Sequence, residues 1–89
     1  MEAGFLLRRL QNGEMIGMPL SRPMPDIGAG CYELRLDDGD VSFRIVYHIA
    51  AEAIVILDVF QKKTRTTPKQ VMNVAQKRLR AYYRIVREG

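Results

Sequence analysis

Basic residues from three segments of this chain are spaced so that they can meet on one small surface. Arg35 and Arg44 lie on adjacent strand-like segments, and Lys62, Lys63 and Arg65 lie just before a helix that begins near a proline. Guanidinium groups stay protonated at neutral pH and grip phosphate oxygens through paired hydrogen bonds. They also stabilise the negative charge that builds up on a phosphorane. These residue types favour a site for a phosphodiester.

Proton transfer on such a surface would fall to a lysine. Nearby positive charges lower a lysine's pKa, so Lys62 or Lys63 could release its proton more easily than an isolated lysine. Two less specific interpretations stay open at this point. Arg44 can form an ion pair with Glu33 across a hairpin, and the basic run around Lys62 can be a solvated loop.

Other chemistries lack the residues they need. One histidine, His48, and one cysteine, Cys31, cannot build a zinc site, so neither a metal nor a cofactor is expected. Ser21 and Ser42 lack the context of a catalytic nucleophile. The Gly28-Ala29-Gly30 tract precedes a strand and not a helix, which argues against a phosphate-binding glycine loop.

Length and composition indicate one small domain. The chain has 89 residues, of which 47% are hydrophobic and 27% charged, so we expect a single globular domain over residues 1–89. No apolar run approaches the roughly 18 residues needed to span a bilayer, and the first residues lack the order of a signal peptide. A lone cysteine fits a reducing compartment. We therefore expect a cytoplasmic protein with no membrane partner.

The charge is distributed unevenly along the chain. From Phe60 onward nine basic residues accompany one acidic residue, whereas the first 59 residues hold five basic and nine acidic ones. A segment with such an excess of positive charge attracts polyanions.

The elements that would position these residues follow from hydrophobic periodicity. Alternating apolar residues predict antiparallel strands at about 31–37 and 41–49, and a nearly continuous apolar run predicts a strand covered on both faces at 53–60. Helices are predicted near 1–12 and 68–87, the second beginning with a capping box at Thr67. The proline- and glycine-rich segment 17–30 predicts a loop. The fold class is α+β, an antiparallel sheet of three or more strands packed against N-terminal and C-terminal helices.

The hairpin between the first two predicted strands fixes which side chains meet. A turn at Asp38-Gly39 places Leu34 opposite Phe43 and pairs Glu33 with Arg44 on the other face. In this register Arg35 and Arg44 share one side of the sheet, directed away from the core.

These segments resemble the RelE/ParE toxin superfamily, and most closely its HigB-type, phage-related branch. The matching tracts are Tyr32–Arg35, Phe43–Tyr47 and Phe60–Thr64 followed by Thr67-Pro68. The stretch Leu6–Leu10 with Gly13, and the following Gly17–Leu20, are similar to the second helix and next loop of that family. The resemblance covers essentially the whole chain, which implies a small RelE-like domain.

The resemblance implies a toxin of a type II toxin–antitoxin pair. Toxins of the RNase branch cut mRNA in the ribosomal A site, without a metal, by attack of the RNA 2′-hydroxyl on the adjacent phosphate. By this resemblance the catalytic residues are Arg35, Arg44 and Lys63, and the RNA-binding residues are Lys62, Arg65, Lys69 and Arg78. A functional tyrosine often lies near the C-terminus of the family, where this chain has Tyr82 and Tyr83. The implied partners are a helix-turn-helix antitoxin, the ribosome and mRNA.

Two other functions stay open. A ParE-like toxin that binds gyrase uses the same scaffold, although such a protein-binding surface has no need for convergent cations. The family normally opens with a strand and a helix that precede the segment where this sequence begins, so the third interpretation is an inactive remnant that only binds a partner. Without that strand one sheet edge is open. A second copy in a homodimer, the 17–30 loop or a partner is then expected to cover it.

Overall fold

An antiparallel sheet and one long helix make up the part of the chain that the structure describes. The structure, a computed structural model, describes residues 8–9, 12, 20–63 and 67–88. Its elements are β1 Ser21–Pro23, β2 Cys31–Asp38, β3 Val41–Ile49, β4 Ile54–Gln61 and α1 Lys69–Glu88. The strands lie in the order β1-β2-β3-β4, each antiparallel to the next. The predicted α+β class is confirmed.

The predicted N-terminal helix at 1–12 lies almost entirely outside the described residues. Arg8 and Arg9 are helical, and the backbone N–H of Asn12 donates to the carbonyl of Arg8, as in a helical turn.

The segment 17–30 is not a loop throughout, since it contributes β1. Ser21, Arg22 and Pro23 pair with Leu34, Glu33 and Tyr32 of β2. Backbone hydrogen bonds continue the pairing at both ends, from Arg35 N to Leu20 O and from Met24 N to Cys31 O. Pro23 tolerates this position because β1 is an edge strand. Three ways of covering the open sheet edge were expected. Among the described residues, the 17–30 segment covers the edge of β2.

The predicted hairpin register is wrong by two residues. Leu34 pairs with Ile45 and Arg35 with Arg44, because the two-residue turn is Gly39-Asp40 and not Asp38-Gly39. Gly39 has φ 60° while no described residue other than glycine has a positive φ, which fits a type II′ turn. A shift of two residues keeps every side chain on its predicted face.

Both faces of the sheet carry buried residues. Leu34, Leu36, Ile45 and Tyr47 form one buried cluster, as the alternation predicted. On the opposite face Val46, Leu57 and Ala75 of α1 belong to a second cluster. Each fully buried aliphatic side chain contributes roughly 1.5–3 kcal/mol, so the second cluster holds α1 against the sheet.

The predicted burial of the last strand on both faces is also wrong. Ile56 and Val59 of β4 are largely exposed, and among the described strands only β3 pairs with β4. Tyr47 pairs with Ile56 and Val46 with Asp58, so Leu57 is the extra residue of a β-bulge. The bulge presents Leu57 to α1, and Arg78 of α1 donates to the Leu57 carbonyl at 2.7 Å.

The N-terminal end of α1 differs from the predicted capping box. The Thr67 hydroxyl donates to Glu33 Oε2 at 2.7 Å and accepts from Arg22 Nη2 at 3.3 Å. Thr67 therefore ties the start of α1 to β1 and β2.

None of the described helices is both long enough and apolar enough to cross a bilayer.

Candidate functional site

One buried carboxylate gathers basic side chains from three parts of the sheet. Glu33 Oε1 lies 3.2 Å from Arg22 Nη2, 3.7 Å from Arg44 Nε and 3.7 Å from Lys62 Nζ. Its second oxygen accepts the Thr67 hydroxyl. We call Arg22, Glu33, Arg44, Lys62 and Thr67 the Glu33 cluster. With three cations and one anion, the Glu33 cluster has a net charge of +2.

The register of the sheet explains why these side chains meet. Arg22 is the direct β1 partner of Glu33, and Arg44 lies two residues along β3 from Val46, the direct partner of Glu33. Diagonal neighbours of this kind are within reach of long side chains. Lys62 is held beside β3 by a hydrogen bond from its backbone N–H to Ser42 O at 2.7 Å.

Burial corrects the expected exposure of Arg44. Its side chain is 8% exposed and that of Glu33 is 4% exposed, so Arg44 does not project freely from the sheet. Arg44 also contacts Asp37 Oδ1 at 3.4 Å and donates to its own neighbour's carbonyl, Phe43 O, at 2.9 Å. The ion pair between Arg44 and Glu33, considered above as an alternative, is present.

Lys62 is the lysine that the structure places in the cluster. Its side chain is 9% exposed, whereas Lys63 is exposed and makes no hydrogen bond or ion pair with the described residues. Burial lowers the pKa of Lys62, and the positive charges of Arg44, Arg22 and Arg35 lower it further, against an opposing effect of Glu33. Of the two lysines proposed for proton transfer, Lys62 has the environment that favours it.

Arg35 is the exposed member of the arginine pair. It is the direct partner of Arg44 in the β2–β3 register, so both side chains leave the same face of the sheet. Nearby Asp37 is exposed; a hydrogen bond from Ser42 lowers its pKa, and the charges of Arg44 and Arg35 add to that effect. Arg35 is thus available to a ligand beside the Glu33 cluster.

The other predicted RNA-binding residues are placed differently from one another. Arg65 lies outside the described residues. Lys69 is the exposed first residue of α1, close to Thr67. Arg78 lies nine residues further, roughly 13 Å along the helix axis, where it contacts Asp58 at 3.3 Å beside the bulge. Lys69 follows Thr67 of the Glu33 cluster by two residues, whereas Arg78 contacts β4.

The sequence pattern does not indicate Arg22 and Thr67 as site residues. Arg22 lies in a segment whose prolines and glycines masked a strand, and Thr67 was interpreted as a helix cap. Ser21 and Pro23 alternate with Arg22 as residues of a strand do, and they lie near an open sheet edge. This is the only feature of the sequence that could have placed Arg22 next to Glu33.

A second polar group occupies the other end of the same sheet face. His48 is buried; its Nδ1 lies 3.5 Å from Cys31 Sγ and its Nε2 lies 2.5 Å from the Tyr83 hydroxyl. Burial raises the pKa of the Cys31 thiol. His48 is four strand residues from Arg44, roughly 13 Å, so Tyr83 is engaged away from the Glu33 cluster. In the described part of the chain, no three His, Cys, Asp or Glu side chains are grouped as metal ligands.

The family to which this chain belongs consists of RelE-like, toxin-like proteins. The chain belongs to the family described as phage-derived Gp49-like proteins, whose family model matches residues 1–80. The predicted phage-derived toxin superfamily is therefore confirmed, and the family suggests an antitoxin as partner. No curated protein and no solved structure gives a significant match to the chain.

Proposed function

We propose that this protein is the toxin of a type II toxin–antitoxin pair and cuts mRNA on the ribosome. The observation that carries the proposal is the convergence of Arg22, Arg44 and Lys62 on Glu33, with Arg35 exposed alongside. Such a site attracts a phosphodiester and stabilises the charge that develops on it. A HigB-type toxin paired with a helix-turn-helix antitoxin is the form of this proposal closest to the sequence resemblance.

The proposed reaction is internal transfer within the RNA. The 2′-oxygen attacks the adjacent phosphorus and loses its proton, while the bond from phosphorus to the 5′-oxygen breaks and that oxygen gains a proton. Arg35 contacts the phosphate oxygens directly, with Arg44 behind it. Lys62 is our choice for proton transfer, because its pKa is lowered and an ammonium group releases its proton more readily than a guanidinium group. Lys63 lies next to it and binds the RNA backbone.

The proposal is tested by mRNA cleavage on translating ribosomes. Arg35→Ala is the informative variant, because Arg35 is exposed and its loss leaves the buried ion pairs in place. We expect a loss of about 10²–10³ in cleavage rate, as for removal of one charge-stabilising donor. Arg84→Ala, at an exposed position near the other end of α1, is the matched control and should cut normally. Cleavage by Arg35→Ala at the wild-type rate contradicts the proposal.

A second function is favoured by one specific observation. Arg44 and Lys62 are only 8% and 9% exposed, so their pairing with Glu33 also serves as internal structure. A ParE-like toxin that binds gyrase, or a remnant that binds only its partner, would need such a scaffold without chemistry. Inhibition of gyrase supercoiling by the wild type, with no mRNA cleavage, would put the gyrase function first.

A further inference from the structure

The C-terminal part of α1 carries exposed side chains that the Glu33 cluster does not use. Tyr83 contacts His48 of β3, and every residue from Arg84 to Arg87 is exposed. Ile85 is 69% exposed, more than any other large apolar side chain in the described part of the chain, and it belongs to neither buried cluster. The end of α1 therefore presents an apolar side chain that the sheet does not cover.

Four residues of this part of the helix share one face. Lys77, Ala81, Arg84 and Ile85 are spaced i, i+4, i+7 and i+8, so they lie within an arc of roughly 100° around the helix axis. Lys77, Arg84 and Ile85 are exposed and Ala81 is half-buried. A helix packs against a second helix through residues with this spacing. We call these four residues the α1 outer face.

The positive charge of the α1 outer face has no partner among the described residues. Neither Lys77 nor Arg84 makes a hydrogen bond or ion pair there, whereas neighbouring Arg78 is paired with Asp58. α1 has six basic residues and a single acidic one, Glu88, at its end. Arginine near a helix C-terminus also stabilises the helix dipole, but that effect does not require an exposed isoleucine beside it.

The combination of charge and apolar surface decides which kind of molecule fits. A second copy of the chain would bring Lys77 and Arg84 of one copy against the same residues of the other, and like charges repel. An RNA backbone would neutralise the two cations but leave Ile85 in water. A protein segment that carries both carboxylates and apolar side chains matches the whole face.

We infer that the α1 outer face binds an acidic amphipathic helix of a partner protein. Apolar side chains of that helix pack on Ala81 and Ile85, and its carboxylates lie beside Lys77 and Arg84. Arg84 is 15 residues from Lys69, roughly 22 Å along the helix axis, so a helix bound there need not cover the Glu33 cluster. The inference does not rest on the proposed cleavage of mRNA.

The test uses two synthetic peptides of about five helical turns as probes of the full chain. One has leucines at helical spacing with glutamates on both sides of them. The other has alanine in place of each leucine, so it keeps the charge and the tendency to form a helix. Binding of each labelled peptide is measured by fluorescence anisotropy at physiological salt. We expect the leucine peptide to bind at least about tenfold more tightly, since burial of one large apolar side chain contributes about that factor.

Three variants separate the α1 outer face from general attraction to a basic surface. Ile85→Ser should weaken binding of the leucine peptide about tenfold, and Arg84→Gln about two- to fivefold. Lys69→Gln removes an exposed charge at the other end of α1 and should leave this binding unchanged. Amide dispersion equal to that of the wild type in an NMR spectrum checks that each variant is folded.

Several results overturn the inference. They are absence of binding by the leucine peptide, equal binding of the two peptides, and equal weakening by Arg84→Gln and Lys69→Gln. An RNA oligonucleotide whose binding falls with Arg84→Gln, together with a leucine peptide that is insensitive to Ile85→Ser, would assign the face to RNA instead. None of these measurements involves cleavage, so loss of the docking surface and loss of the proposed nuclease are separate outcomes.

Discussion

Replacement of Glu33 by glutamine should destabilise the fold far more than its modest change in shape suggests. Glu33→Gln keeps the size of the side chain and leaves an oxygen that Thr67 can still contact. It removes the negative charge that lies 3.2–3.7 Å from Arg22, Arg44 and Lys62. Arg22 is 43% exposed and can be rehydrated, but Arg44 and Lys62 are 8% and 9% exposed and would lose their buried counter-ion. Arg44 would keep only the exposed Asp37 as a partner.

The expected magnitude follows from that burial. Removing one partner of a buried ion pair typically costs about 3–5 kcal/mol in free energy of unfolding. In a domain of this size each kcal/mol shifts Tm by about 4–8 °C, so Tm should fall by about 12–40 °C. Thermal and urea unfolding followed by circular dichroism at neutral pH would measure both quantities.

Two comparison variants make the test specific to the buried carboxylate. Asp37→Asn removes another negative charge that contacts Arg44, but this carboxylate is exposed. The variant should therefore change Tm much less. Combining Glu33→Gln with Lys62→Met should recover part of the lost stability, because one of the two buried cations that lose the Glu33 carboxylate is removed. If Glu33→Gln lowers the free energy of unfolding by less than about 1 kcal/mol, its effect equals that of losing an exposed ion pair. That result would show that Glu33 does not hold the cluster together.

Three further outcomes are expected. Because the pKa of Lys62 is lowered in the folded state, the unfolded chain binds more protons between that pKa and 10.5, so the contribution of Lys62 to stability rises with pH in this window. Urea unfolding as a function of pH should show this rise in the wild type and lose it in Lys62→Met. The Cys31 thiol, buried and with a raised pKa, should react with a thiol reagent near neutral pH only as fast as the protein unfolds; rapid reaction of the folded protein would contradict this. Tyr47→Phe removes a 2.7 Å hydrogen bond to buried Ser21 and should cost about 1–3 kcal/mol by urea unfolding, while an unchanged midpoint would mean that Ser21 finds another partner.

The regular elements were predictable because their side chains repeat with the period of the element. The alternation of Leu34, Leu36, Ile45 and Tyr47 predicted β2, β3 and their buried face, and the confirmed cluster contains these residues. The register was not predictable from that pattern. A shift of two residues still places apolar residues opposite each other, so only the turn geometry at Gly39 decides between the alternatives.

The candidate site was predictable in its charge but not in its organisation. Arg35, Arg44 and Lys62 were named from residue type and position, and the structure brings them to one region of the sheet. Arg22 and Thr67 depend on the pairing of β1 with β2, which no local pattern in a proline-rich segment reveals. The burial of Arg44 and Lys62 around Glu33 likewise depends on contacts between residues far apart in the chain.

The chain-order arrangement of the strands has a consequence for the sequence of folding events. Each described strand pairs with its neighbour along the chain, so the sheet forms from local contacts, which fold rapidly. The contacts of α1 and of Thr67 just before it span larger sequence separations, 34 positions from Glu33 to Thr67 and 50 from Asp26 to Gln76. We expect the strands to associate first and α1 to dock later. Thr67 reaches the Glu33 cluster only at that last step, so a chain with a complete sheet and an undocked helix lacks the hydrogen bond between Thr67 and Glu33.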